Sequence, residues 1–274
     1  MKTQRIPVHV FNLDHTLRCG QVFRWQKEED EWMGIVKNSV ISAKQEDRIL
    51  VVKSDFASED IARYFRLDDD MEKVYRQIGK DKLMKEVIAR YRGLRLVRQD
   101  PWECLISYVC SINNRIPQIM RMIQNLSARF GEEICDGVYG FPGPERLADA
   151  PHDELKKCKL GFRVDWILDV AKKVYEGELQ LEKLRNMDYQ SAKRELLKVN
   201  GVGDKVADCV LLYSLDKLEA FPVDVHIRRV VQREYLKNGG ISDKRIREWA
   251  RQYFGEYAGY AQQYLFHYER TKEM

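Results

Sequence analysis

No CxxC pair, no internal repeat, no low-complexity tract and no apolar run approaching the roughly 20 residues of a membrane span occurs in this 274-residue chain. The missing run predicts that no helix crosses a bilayer. The opening MKTQRIPVHVFNLDHTL also lacks the apolar core of a secretion signal, so the chain is expected to act inside the cell with no membrane partner. The six cysteines, Cys19, Cys104, Cys110, Cys135, Cys158 and Cys209, lack compact metal-ligand spacing, which reads as reduced thiols, mostly in cores, rather than a disulfide frame or a zinc site. Charge of one sign is scarce as well: the formal excess is only +4, which permits a polyanionic partner without establishing one.

What is present is an ordinary globular balance, 44% apolar and 33% charged, in a chain long enough to bury roughly 70 to 75% of its unfolded surface. Residues 6–53 alternate aromatic and β-branched residues with polar turns, predicting short strands at Val22–Trp25, Trp32–Val36, Ser39–Lys44 and Arg48–Lys53 in a small antiparallel sheet. From Ser58 the apolar period lengthens to three or four, as in amphipathic helices. A new unit opens near Asp100 and Pro101, with helices at about Trp102–Ser111 and Ile116–Phe130. A Gly/Pro-rich loop follows from Gly137. Further helices are expected near Val164–Tyr175, Ser191–Lys198, Lys205–Leu215, His226–Tyr235, Asp243–Phe254 and Gly259–His267. The fold class is therefore α+β: an N-terminal antiparallel β domain with flanking helices at 1–97, then an all-helical body at 98–274. A cleft is expected where helices of the body face one another.

The most informative stretch is LLKVNGVGDKVADCVLLYSL, in which a helix end, a tight turn and a helix start follow in order within 191–215. Gly201 and Gly203 permit a sharp turn and close approach, while Val202 can anchor it in the core. Amides of the turn and of the next helix start lack intrahelical partners, and can hold a phosphate without reading a base. A plain connection between packed helices is the simpler alternative. Lys205 opens the second helix. There the helix dipole and partial burial disfavour an ammonium, and a neutral amine is a nucleophile; a solvated lysine or a phosphate contact is the alternative. Cys209, four residues on, shares its face.

In FPVDVHIRRVVQREY a helix begins near Asp224, whose carboxylate can cap it and so be held rigid. The same carboxylate can face a positive charge developing on a sugar that loses its base. His226 can contact a phosphate or orient a carboxylate. Arg228, Arg229 and Arg233 are either backbone contacts or a solvated helix face.

With these residues in view, the chain resembles the 8-oxoguanine DNA glycosylase/lyase family of the helix-hairpin-helix glycosylase superfamily. The likeness runs from FNLDHTLRCGQVFRW through GYAQQYLF and is most specific in RQDPWECLISYVCSINN and GVGDKVADCVLLYSLDKLEAFPVDVH. The resemblance implies duplex DNA containing 8-oxoguanine as partner, a monomer, and no metal or organic cofactor. It gives Lys205 the attack on C1′ and Asp224 the stabilising charge. It assigns the base pocket to Cys209 and Phe266 on the two faces, Gln262 at the edge, and the Gly20 carbonyl as acceptor of the N7 proton that 8-oxoguanine has and guanine lacks. Asn113, Phe162 and Arg163 correspond to residues beside the orphaned cytosine, and His226 to one near a phosphate, with Glu269 where its acidic partner stands.

One departure stands out. Gln118 occupies the place of a second cytosine-reading arginine, so relaxed preference for the opposing base is expected; Arg115 and Arg121 are near in sequence but not at that position. A relative bearing a four-cysteine cluster near its C-terminus does not fit, since Cys209 is the last cysteine. A non-catalytic phosphate clamp explains Gly201 and Gly203 but leaves Lys205, Cys209 and Asp224 as coincidences.

Overall fold

The computed structural model describes residues 1–237 and 240–272. Strands β1 (Lys2–Pro7), β2 (Trp25–Glu28), β3 (Glu31–Val36), β4 (Ser39–Glu46) and β5 (Ile49–Ser54) form an antiparallel sheet in the order β1-β5-β4-β3-β2. Trp25, Trp32, Leu50 and Val52 turn into a core that also takes Phe65 and Val97. Two elements of this layer go beyond the sequence reading. Strand β1 closes the edge of β5, and a six-residue helix α1 (Leu13–Arg18) starts on the Asn12 side chain, which accepts from the His15 amide at 2.8 Å. So short a helix shows no periodicity in sequence.

A strand beginning at Val22 does not form; pairing starts at Trp25. The residues just before it are committed to other contacts. Gln21, fully buried, donates to the carbonyls of Thr16 (2.9 Å) and Arg95 (2.8 Å) and accepts from the Val97 amide (3.0 Å). Arg24 reaches the Tyr139 carbonyl and Glu103.

The helices after the sheet are α2 (Ser58–Tyr64), α3 (Met71–Ile78), α4 (Lys82–Arg90), α5 (Pro101–Cys110) and α6 (Ile116–Phe130). A small hairpin of β6 (Glu133–Cys135) and β7 (Val138–Tyr139) interrupts the Gly/Pro-rich stretch before α7 (Pro144–Ala148) and α8 (His152–Lys157). Then come α9 (Val164–Tyr175), α10 (Leu181–Arg185), α11 (Tyr189–Leu196), α12 (Asp204–Ser214), α13 (Val225–Val231), α14 (Asp243–Phe254) and α15 (Ala258–Lys272). The helix expected over His226–Tyr235 ends at Val231 and continues as a π turn through Leu236.

Helices α5, α12 and α15 are buried on nearly every side, the mark of central rather than surface helices. Asp100 caps α5 by accepting from the Glu103 amide at 3.0 Å, with Pro101 in the first turn. The core around these helices also takes Val74, Ile78 and Val87, so α3 and α4 pack with the helical body. Arg95, 3% exposed, ties the segment after α4 to the N-terminal layer by donating to the carbonyls of His9 (3.0 Å) and Val10 (3.2 Å), and to those of Arg66 and Asp69. Among the described residues no helix is long and apolar enough to cross a membrane.

Candidate active site

A cleft of about 1330 Å³ opens where the C-terminal end of α5, the starts of α12 and α13, the middle of α15 and the segment at Gly20 meet. Its walls include ten of the residues singled out in sequence: Gly20, Asn113, Gly201, Gly203, Lys205, Cys209, Asp224, His226, Gln262 and Phe266. Phe162, Arg163 and Gln118 are not lining residues.

The hairpin is α11, a turn, and α12. Gly201 has φ +78°, and a Cβ there would sit 2.6 Å from the Trp166 indole, so both conformation and contact require glycine. Val202 is buried as expected. Gly203 is extended and caps α12, and a Cβ on it would meet nothing within 4 Å; its amide neighbourhood opens onto the cleft.

The two helices are locked by a charge cluster that the sequence reading missed, buried at Lys193, Asp208 and Arg247 and half exposed at Asp204. Lys193 contacts Asp204 and Asp208 at 2.9 Å each, Tyr189 donates to Asp208 at 2.7 Å, and Arg247 of α14 reaches Asp204 at 3.0 Å. Burial pushes the Asp208 carboxyl above its ordinary range, opposed by Lys193. Lys193 and Asp208 are fifteen residues apart and lie on different helices, so no sequence pattern pairs them.

Lys205 projects from the first turn of α12 toward the end of α5. Its Nζ donates to Ser111 Oγ at 2.6 Å and lies 5.3 Å from the centroid of the Tyr108 ring. Cys209, one turn further along and 3% exposed, has its thiol pushed up to about 12 by burial. It is a neutral wall of the cleft rather than a second nucleophile. Asp224 caps α13, accepting from the Ile227 amide at 2.8 Å. That bond holds its carboxylate at the cleft wall.

Gly20 has φ +87°, and a Cβ there would meet Ile116 Cδ1 at 2.9 Å, Arg270 at 3.0 Å and the Phe266 ring at 3.3 Å. The backbone at Gly20 is held on both sides: the Cys19 carbonyl accepts from Gln263 at 3.0 Å, and the Gln21 carbonyl accepts from Gln99 at 2.8 Å and from the Tyr108 hydroxyl at 3.2 Å. Gln262 is buried and takes a 3.4 Å hydrogen bond from the Tyr213 hydroxyl. The Phe266 ring meets the His226 ring edge-on, 5.7 Å between centroids. Gln21, Gln263 and Tyr213 escaped the sequence reading because they support the cleft without carrying a motif of their own.

On the opposite side, Asn113 is exposed with φ +49° just past the end of α5. That is a left-handed conformation which asparagine tolerates. Asn114 closes the helix by donating to the Cys110 carbonyl at 3.1 Å. Phe162 is 54% exposed, whereas Arg163 is 5% exposed. The Arg163 guanidinium donates to the carbonyls of Leu160 (3.1 Å) and Ile112 and lies over the Phe162 ring. Gln118 is exposed on the first turn of α6. Two of the arginines after Asp224 are held by acids: Arg228 by Asp243 at 2.7 Å and Arg233 by Glu269 at 2.8 Å. Glu269 thus has Arg233 as a partner.

A helix-hairpin-helix that presents a lysine, followed by a capping aspartate across a cleft, defines a class. Residues 106–255 match the HhH-GPD superfamily of base excision DNA repair proteins, and the chain belongs to it. Residues 4–105 match the N-terminal domain of 8-oxoguanine DNA glycosylase, which makes this a member of the 8-oxoguanine glycosylase type within that superfamily. The N-glycosylase/DNA lyase of Saccharomyces cerevisiae is 33% identical over 257 residues, 81% of this chain and 68% of its own. A solved structure of the Clostridium acetobutylicum 8-oxoguanine glycosylase/lyase, bound to duplex DNA with cytosine opposite 8-oxoguanine, superposes with a TM-score of 0.91 at 33% identity. The match covers 96% of this chain and 93% of that one. MBOgg1 in complex with a low-affinity DNA ligand gives 0.95 at 38% identity, over 100% and 97% of the two chains.

Proposed function

We propose that this chain excises 8-oxoguanine from duplex DNA and then cleaves the strand, with Lys205 as nucleophile and Asp224 as the facing charge. The observation that carries the proposal is the convergence of Lys205, Asp224, Cys209, Gln262, Phe266 and Gly20 on one cleft. These residues come from sequence positions as far apart as 20 and 266, and their chemistries complement one another. The cleft is large enough to take a nucleotide turned out of the helix, which the chemistry requires because C1′ is out of reach inside the stack.

The lone pair of Lys205 Nζ forms a bond to C1′ as the glycosidic C1′–N9 bond breaks and its electron pair leaves on the base. Asp224 offsets the positive charge on the sugar. Loss of an amine proton and opening of the ring give an imine. That imine accepts the electrons of the C2′–H bond as its proton departs, and the C3′–O bond breaks with the 3′ phosphate leaving. The Gly20 carbonyl discriminates by one hydrogen bond: it accepts from a protonated N7 and faces a bare acceptor in guanine.

Gln118 supports a relaxed opposing-base preference, since a neutral amide offers neither the charge nor the planar fork of arginine. Borohydride trapping on 8-oxoguanine duplexes with each of the four opposing bases tests these points together. A covalent protein-DNA species is expected, lost in Lys205→Gln while DNA binding persists, and formed opposite bases other than cytosine as well. Trapping that survives Lys205→Gln would remove the lysine from its role. Strict dependence on cytosine would overturn the reading of Gln118.

A further inference from the structure

The Ser111 hydroxyl makes two short contacts of opposite sense. It donates to the Tyr108 carbonyl at 2.6 Å and accepts from Lys205 Nζ at 2.6 Å. Ser111 caps the end of α5 and is buried, and a serine hydroxyl carries a single proton. With that proton committed to a helix carbonyl, the lysine meets only the oxygen's lone pairs. Tyr108 braces the arrangement twice. Its carbonyl takes the serine proton, and its ring, stacked on Tyr213 with centroids 5.4 Å apart, lies beside Nζ at 5.3 Å.

A neutral amine has two N–H bonds and one lone pair. Fixing one N–H on Ser111, with the Tyr108 ring beside the nitrogen, leaves the lone pair directed away from α5. An unrestrained lysine side chain distributes that lone pair over many rotamers, and misdirection of an attacking atom is costly in rate.

We infer that Ser111 is a positioning residue: a hydroxyl held as an acceptor that aims the Lys205 amine at the sugar carbon in both the excision and the imine-forming steps. The inference rests on the reading of Lys205 as nucleophile. Ser111 acts through Lys205, so its removal should slow chemistry without weakening the hold on DNA.

The test uses the full chain and two substrates, an 8-oxoguanine duplex and a duplex with a preformed abasic site, the second bypassing base departure. In Ser111→Ala, the single-turnover excision rate at saturating enzyme and the borohydride-trapping rate on the abasic duplex should both fall about ten- to hundredfold. The fall should persist at alkaline pH. The enzyme concentration giving half the maximal rate should stay unchanged, as should the thermal midpoint. Ser111→Thr, which keeps the hydroxyl, should recover most of the rate. Ser111→Cys, similar in volume but a poor acceptor, should behave like alanine and guards against a packing defect.

Wild-type rates in Ser111→Ala, a loss that vanishes at alkaline pH, or a cysteine variant as fast as wild type would overturn the inference. Absence of any Lys205-dependent trapping in the wild-type chain would instead overturn the nucleophile assignment on which it rests.

Discussion

At the scale of single residues, the cleft depends on groups that are small, neutral or directionally held. Cys209 illustrates neutrality: burial keeps its thiol protonated through the physiological range, so it can lie against a base without competing with Lys205. Gly20 illustrates size. Its backbone has φ +87°, and three side chains of the pocket lie within 3.3 Å of where a Cβ would stand. Gly20→Ala is expected to cost about 1–3 kcal/mol of stability and to lower excision more than DNA binding, because Phe266 and Ile116 must shift. Urea unfolding and single-turnover kinetics measure the two effects, and an alanine variant with wild-type excision would show that the position tolerates displacement.

Among the elements, the helix-hairpin-helix carries the proposed nucleophile, so its rigidity fixes where Lys205 stands in the cleft. Lys193, Asp208 and Arg247, buried, and Asp204 at their edge tie α11, α12 and α14 together. Breaking a buried pair by removing one partner leaves an uncompensated charge. Lys193→Met leaves Asp208 with Arg247 at 3.7 Å and with the Tyr189 hydroxyl. The expected cost is about 3–5 kcal/mol, read from the urea midpoint. An unchanged midpoint would mean that Arg247 alone neutralises Asp208.

Over the whole molecule, the C-terminal helix α15 joins the sheet layer to the cleft, and its packing introduces a pH dependence. His267, 4% exposed, lies against Tyr91 (centroids 4.5 Å apart) and faces His15 of α1 at 6.2 Å. Burial lowers its pKa from 6.5 to about 3, with Arg270, His15 and Arg90 adding to the shift. The folded state therefore keeps this imidazole neutral while the unfolded chain binds a proton. Its contribution is full above the unfolded value and is lost as pH falls from 6.5 toward 3. The thermal midpoint should decline from about pH 7 to about pH 5, before most carboxylates titrate, and His267→Phe should flatten that slope. Equal slopes in the two proteins would show that the ring is protonated at little cost.

The extent to which the sequence was legible follows from the range of the interactions involved. Helix periodicity, the glycine turn, the capping role of Asp224 and the strand-turn alternation after Trp25 are governed by neighbours within a few residues, and they stand in the structure as the sequence implies. Short elements such as β1 and α1 were not legible, because their stability comes from pairing with β5 and from packing rather than from their own pattern. The hairpin and its lysine mark Lys205 in sequence, but only the fold brings Ser111, 94 residues earlier, within 2.6 Å of it. Likewise, Gly20 and Phe266 are ordinary residues in a linear reading apart from the family resemblance. The tertiary structure makes them neighbours because α15 threads through the core and carries Gln263 to the Cys19 carbonyl. Local chemistry thus wrote the parts into the sequence, while long-range burial decided which of them face the same cleft.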